Sequence, residues 1–215
     1  MYVNVRERSG MVRLPAFCLL ALLFTASLAV TAHPGYFPDA VEAYDRGDYK
    51  TAYGIWKELA DQGDAHAQNR LGTMYAEGKG VPQDFAEVLT WYRKAAEQGY
   101  AKAQYNLGVL YDNGRGVPQD YAEAVTWYRR AAGQGDPDAQ SNLGVMYGQG
   151  QGVSQDLILA HMWFTLAVSR FPASEEKGRE KALKNRDIVA SRMTPAQISE
   201  AQRLAREWKP EKEVK

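Results

Sequence analysis

One spacing constrains this chain more than any other feature: a block of residues recurs every 36 positions. Leu71-Gly72, Leu107-Gly108 and Leu143-Gly144 share the step, as do Tyr75, Tyr111 and Tyr147. So do Gly80-Val81, Gly116-Val117 and Gly152-Val153, then Gln83-Asp84, Gln119-Asp120 and Gln155-Asp156, then Trp91, Trp127 and Trp163. A period of this length is one supersecondary unit, which cannot bury its apolar face alone and must stack on copies of itself. The chain therefore folds as an array.

Within a unit the pattern predicts helix, loop, helix. Ala103, Leu107, Leu110 and Tyr111 fall at i, i+4, i+7 and i+8, the apolar stripe of a first helix. Gly108 interrupts that helix at a cost of about 1 kcal/mol, tolerable where a neighbouring helix must come close. Residues 114–118 break the period as a Gly- and Pro-bearing loop. Asp120 with Glu123, like Asp84 with Glu87, has the spacing of a capping box at the start of a second helix. Tyr121, Ala124, Val125, Tyr128, Ala131 and Ala132 give that helix its buried face, and Gly135 follows as its stop. In the third unit Leu159 stands where the glutamate of the box would be.

The flanks continue the theme less regularly. Asp48, Tyr49, Ala52, Ala60 and Gly63 match a second helix in the same register, after the short turn Tyr44-Asp45-Arg46-Gly47-Asp48. Downstream, a charged helical stretch leads to Thr194-Pro195-Ala196-Gln197, an N-cap, a proline at the first helical position and a capping-box glutamine. Ile198, Ala201, Ala205 and Trp208 stripe the helix that follows. The organisation expected is a leader over 1–32, a partial tetratricopeptide-like unit over 36–64, and units over 65–100, 101–136 and 137–172. A helical cap and tail over 173–215 complete it.

The pattern Ala-x-Ala-Gln-x-x-Leu-Gly-x-x-Tyr, Gly-x-Gly-Val-x-Gln-Asp, Trp-Tyr-x-x-Ala-Ala resembles the Sel1-like repeat, a relative of the tetratricopeptide repeat. The resemblance implies an all-α, right-handed α/α solenoid acting as a protein-binding adaptor in membrane-associated or secreted complexes.

The N-terminus carries its own signal. Arg6, Arg8 and Arg13 precede an apolar stretch over 14–30, and Val30-Thr31-Ala32 supplies small residues at its end. That order is the order of a secretory signal peptide, with cleavage expected after Ala32 and with Met11 as an alternative start. An uncleaved anchor is the rival, which Pro15, Thr25, Ser27 and Thr31 weaken. The single cysteine, Cys18, lies at the start of the apolar stretch and not after it, so the mature chain has neither a disulfide nor a thiol nucleophile. Cleavage leaves 23 basic against 25 acidic residues, a net of −2, with no basic face for nucleic acid. The expected location is the periplasm or the cell exterior, with membrane contact only through an uncleaved leader.

Chemistry-bearing motifs are sparse. The recurring Tyr and Trp residues fall at helical spacing and read as core. The Gly-x-Gly loops join two helices and lack the Lys-Ser/Thr pair of a phosphate loop. His66 and His161 occupy unrelated unit positions, and His33 as a new N-terminus would need a second histidine from the fold to chelate copper and reads as an ordinary cleavage remnant, so neither metal nor cofactor is expected. No Ser-His-acid constellation stands out. The reading is a non-enzyme, with a cell-wall or β-lactam hydrolase as the alternative.

What remains is the polar side of each first helix. His66 and Arg70, Lys102 and Asn106, and Asp138 and Asn142 lie at i, i+4 and recur at the 36-residue step. Stacking predicts two rows of side chains on the concave face, suited to an extended peptide or a carboxylate terminus from a partner in the cell envelope. An ordinary solvated face is the competing reading.

Overall fold

The computed structural model describes residues 36–210. The leader over 1–32, with Cys18, and His33 lie outside the described residues, as do residues 211–215 of the tail. Ten α-helices follow one another among the described residues, the first eight in consecutive pairs: α1 (Tyr36–Asp45), α2 (Tyr49–Asp61), α3 (Ala65–Glu77), α4 (Phe85–Glu97) and α5 (Ala101–Asn113). The rest are α6 (Tyr121–Gly133), α7 (Pro137–Gln149), α8 (Leu157–Arg170), α9 (Glu176–Ala190) and α10 (Pro195–Glu207). A 3-10 turn over Ala173–Glu175 leads into α9. This is the all-α helix-pair solenoid that the period demands.

Each core cluster joins the second helix of one unit to the first helix of the next. Ala52, Trp56 and Leu59 pack with Leu71 and Met74; Val88, Tyr92 and Ala95 pack with Leu107 and Leu110. Val125 and Tyr128 likewise pack with Leu143 and Met146, and Phe164 and Ala167 with Ala182 and Val189. Each buried leucine of this kind contributes about 1.5–3 kcal/mol of transfer free energy. The period reads Trp56, Tyr92, Tyr128 and Phe164 as one position, the large ring that fills each helix pair.

The mid-helix glycines now have their reason. A Cβ on Gly108 would sit 2.5 Å from the Tyr128 ring, and Gly72 and Gly144 face Tyr92 and Phe164 in the same way. The first helix thus lies directly on the ring of its own second helix. The joint between units uses a second glycine: at Gly116 (φ +73°) a Cβ would come 2.5 Å from Phe85 Cβ, at the start of the preceding second helix.

A buried glutamine stitches each joint. Gln104 donates to Ala96 O at 3.1 Å, and its own carbonyl accepts from Gln134 at 2.8 Å. Gln68 repeats this with Ala60 and Gln98. Gln140 donates to Ala132 O, but its Oε1 is buried with no partner. The next residue in that register is Arg170, and its guanidinium lies 4.3 Å from the Trp208 ring centre instead.

The helix starts differ from the sequence expectation in one detail. Asp84 and Asp120 do cap, each accepting from two backbone N–H groups of the first turn. The return half of the box does not form, because the Asp120 N–H is already bonded to Tyr111 O at 2.9 Å. Glu123 accepts from Trp127 Nε1 instead. Only α10 has the full reciprocal box among the described residues, through Thr194 and Gln197. That helix turns back onto α8, where Trp208 meets Trp163 edge to face at 6.2 Å.

Candidate functional site

The first helices present one face on which equivalent positions come side by side. Lys102 and Asp138, one unit apart, form an ion pair at 2.8 Å. Burial alone would lower the Lys102 ammonium, but the Asp138 bond and the nearby Asp136 carboxylate outweigh it and raise its pKa. His66, in the same row, stacks on Tyr100 with ring centres 4.5 Å apart and meets Phe37 edge-on.

In the second row Asn106 is half-buried and donates to Asn69 Oδ1 at 2.9 Å. Asn142 is half-buried too and bonds the Tyr128 hydroxyl. That hydroxyl also donates to Asp112 at 3.1 Å, and burial first, then the Asp112 charge, pushes the Tyr128 pKa far up. Arg70 differs from both. It is exposed, its guanidinium lies 5.7 Å from the Trp56 ring centre, and among the described residues it has no ion pair or hydrogen bond. Of the six residues named from sequence, the structure brings Lys102 against Asp138 and sets Arg70, Lys102 and Asn106 around one groove. They do not form a row of free donors, because the two amides already serve the joints between units.

Between α3 and α5 this face opens into a groove of about 440 Å³. Asn69, Arg70, Thr73, Tyr92, Lys102 and Asn106 line it, and Thr73 Oγ1 and the Tyr92 hydroxyl bond each other across it at 3.2 Å. Asn69, Thr73 and Tyr92 escaped sequence reasoning. Tyr92 reads as core, and its ring is; only the hydroxyl reaches the groove. Asn69 had a signal, since its equivalents are Tyr105 and Ser141 while the adjacent glutamine never changes. No group of three or more His, Cys, Asp or Glu side chains gathers as a metal site among the described residues, and no described helix is long and apolar enough to cross a membrane.

Stacked helix pairs of this kind define an α/α repeat solenoid. The Sel1 repeat family model matches residues 65–100, 101–136 and 137–170. A Sel1 repeat protein from Oxalobacter formigenes is 40% identical, with 58% of this chain covering 94% of that one at a TM-score of 0.52. The protective antigen c5321 of uropathogenic Escherichia coli, which displays an SLR fold, is 32% identical over 81% of this chain, with a TM-score of 0.70. This chain spans only 37% of that antigen's length. No curated protein sequence matches significantly. The chain belongs to the Sel1 repeat family, whose members are protein-interaction scaffolds and generally not catalysts.

Proposed function

We propose that this protein is an exported, non-catalytic scaffold that holds an extended segment of a cell-envelope protein in the groove between α3 and α5. Export rests on the Arg-flanked apolar stretch ending Val30-Thr31-Ala32. One observation carries the binding reading: Arg70 is an exposed guanidinium at the groove wall with no hydrogen bond or ion pair among the described residues. A carboxylate of the bound segment, from a side chain or the chain end, is the group that completes it.

The test is a pull-down from envelope extract with wild type and with Arg70→Ala, Asn106→Ala and Asn142→Ala combined. The triple variant should lose the partner while keeping its helical spectrum, and Arg70→Ala alone should account for most of the loss. Full capture by the triple variant contradicts the site. Turnover of cell-wall material or a β-lactam by the same preparation contradicts the scaffold reading in favour of a hydrolase. N-terminal sequencing of the mature protein should find His33 first; a retained Met1 or Met11 contradicts export by cleavage.

A further inference from the structure

The second helices carry a surface that the groove does not use. Arg93 and Lys94 of α4 recur one unit on as Arg129 and Arg130 of α6, and all four are exposed. Aromatic supports hold each pair in place. Lys94 lies 4.3 Å from the Trp91 ring centre, and Arg130 lies 4.5 Å from that of Trp127. Arg93 donates to the Tyr111 hydroxyl at 2.9 Å, and Arg129 to that of Tyr147 at 2.7 Å. Contacts make the surface continuous across helices. Lys57 of α2, itself paired with Asp61, also lies over Trp91, and Trp127 packs among the α4 residues Val88, Tyr92 and Ala95.

Among the described residues, none of these four cations has a carboxylate partner. The acids of the two helices are placed otherwise: Glu123 accepts from the Trp127 indole, and Glu87 and Glu97 stand near the two ends of α4. One and two turns back from each cation pair the exposed residues are small, Ala86 with Thr90 and Ala122 with Thr126. Both threonine hydroxyls bond back to their own helix, at 2.9 and 3.1 Å. The face is therefore basic and low in relief. The exposed large hydrophobics among the described residues, Leu183 and Ile188, lie on α9 and not here. Basic and acidic residues balance over the whole chain, so stacking and not composition makes this face.

We infer that this α4–α6 face docks on an anionic phospholipid surface. A stable protein partner anchors on aromatic or aliphatic side chains at the centre of its interface, and this face offers none. A small anion held singly needs an enclosing pocket, which a surface of low relief does not provide. Lipid headgroups are mobile anions lying in a plane, and they gather beneath each cation pair without a pocket. The contact is peripheral, since no described helix is long and apolar enough to cross a membrane. It shares no residue with the groove between α3 and α5 and does not depend on the leader.

The test is co-sedimentation of the purified protein, without its leader, with vesicles of phosphatidylglycerol and phosphatidylcholine in equal parts, and with phosphatidylcholine alone. Binding is expected to the anionic vesicles only, weakening steeply as salt is raised. Lys94→Gln combined with Arg130→Gln should weaken it by about twentyfold, since each cation near an anionic surface is worth about fivefold. Arg93→Lys combined with Arg129→Lys should stay within about twofold, because headgroups in a fluid plane read charge and not the guanidinium fork. Arg70→Ala should bind vesicles as the wild type does, so this inference and the groove reading stand or fall separately. Matching melting curves confirm that the variants fold. Equal binding to neutral vesicles, or full binding by the Lys94 and Arg130 double variant, overturns the inference. Tighter binding to soluble polyglutamate than to anionic vesicles at equal charge overturns it too, and assigns the face to an acidic chain.

Discussion

The joint between the first two repeats and the joint between the second and third are built from the same parts, and only one of them is complete. At the first, Gln104 is satisfied on both sides, by Ala96 O and by Gln134. At the other, Gln140 keeps its donor bond and loses its acceptor bond, because Arg170 stands in the glutamine's place and stacks on Trp208. The array does not simply stop. It exchanges one buried hydrogen bond for a cation over an aromatic ring, which fastens α10 across α8. The first joint is specified by its neighbours, whereas the second depends on Arg170 and on Trp208, 38 positions further along the chain.

The largest break should come at the regular joint. Leu107 is fully buried between α4 and α5, so Leu107→Ala should cost about 2–5 kcal/mol in denaturant melts. Because units stabilise only their neighbours, hydrogen exchange should accelerate in the flanking units most. A change below about 0.5 kcal/mol, the level of surface substitutions, would contradict the packing.

The C-terminal end, where α10 packs on α8, should fail more gently. Trp208→Ala removes an edge-to-face ring pair and a cation contact, together worth about 1–2 kcal/mol. Deleting residues 194–215 should lower stability and solubility together, since it uncovers α8. An unchanged melting curve with a monomeric product would mean that α10 is not a cap.

The comparison sharpens with Arg170→Gln, which rebuilds the glutamine stitch. In a Trp208→Ala background it should recover about 1 kcal/mol, the net value of one buried hydrogen bond. In the wild-type background the gain should shrink, because the cation contact is lost at the same time. Equal gains in both backgrounds would show that Arg170 and Trp208 are not coupled.

The smallest effect concerns pH. Burial, partly opposed by the Ala139 N–H bond and Lys102, raises the Asp136 carboxyl above its ordinary 3.8. The folded protein therefore holds this proton more tightly than the unfolded chain. The contribution of this site is most favourable below the ordinary value, falls as pH rises, and levels off once the folded carboxyl has ionised. Asp136→Asn keeps an N-cap acceptor and should gain on wild type as pH rises from about 3 to 6. A constant difference across that range would contradict the raised value.

The architecture was legible because packing fixes it. Leucine, the Gly108 and Gly116 series, and the large second-helix ring must recur for units to stack, so the period writes them plainly. The site was less legible for the same reason reversed. Arg70, Asn106 and Asn142 share a register but not a role, since whether an amide is free depends on neighbours such as Asn69 and Tyr128. Trp56 lies one place off the Trp91 series and in the Tyr92 series, and only contacts show that its ring faces Arg70.

The central claim, that the first-helix face takes the protein partner, is tested most directly by photo-cross-linking in living cells. A benzophenone side chain would replace Glu77 at the groove wall in one strain and Arg130, exposed over Trp127 on a second helix, in another. The account predicts a protein adduct from position 77 that disappears when Arg70→Ala is added, and no such adduct from position 130. An adduct from position 130 alone, or one at position 77 indifferent to Arg70, would contradict it.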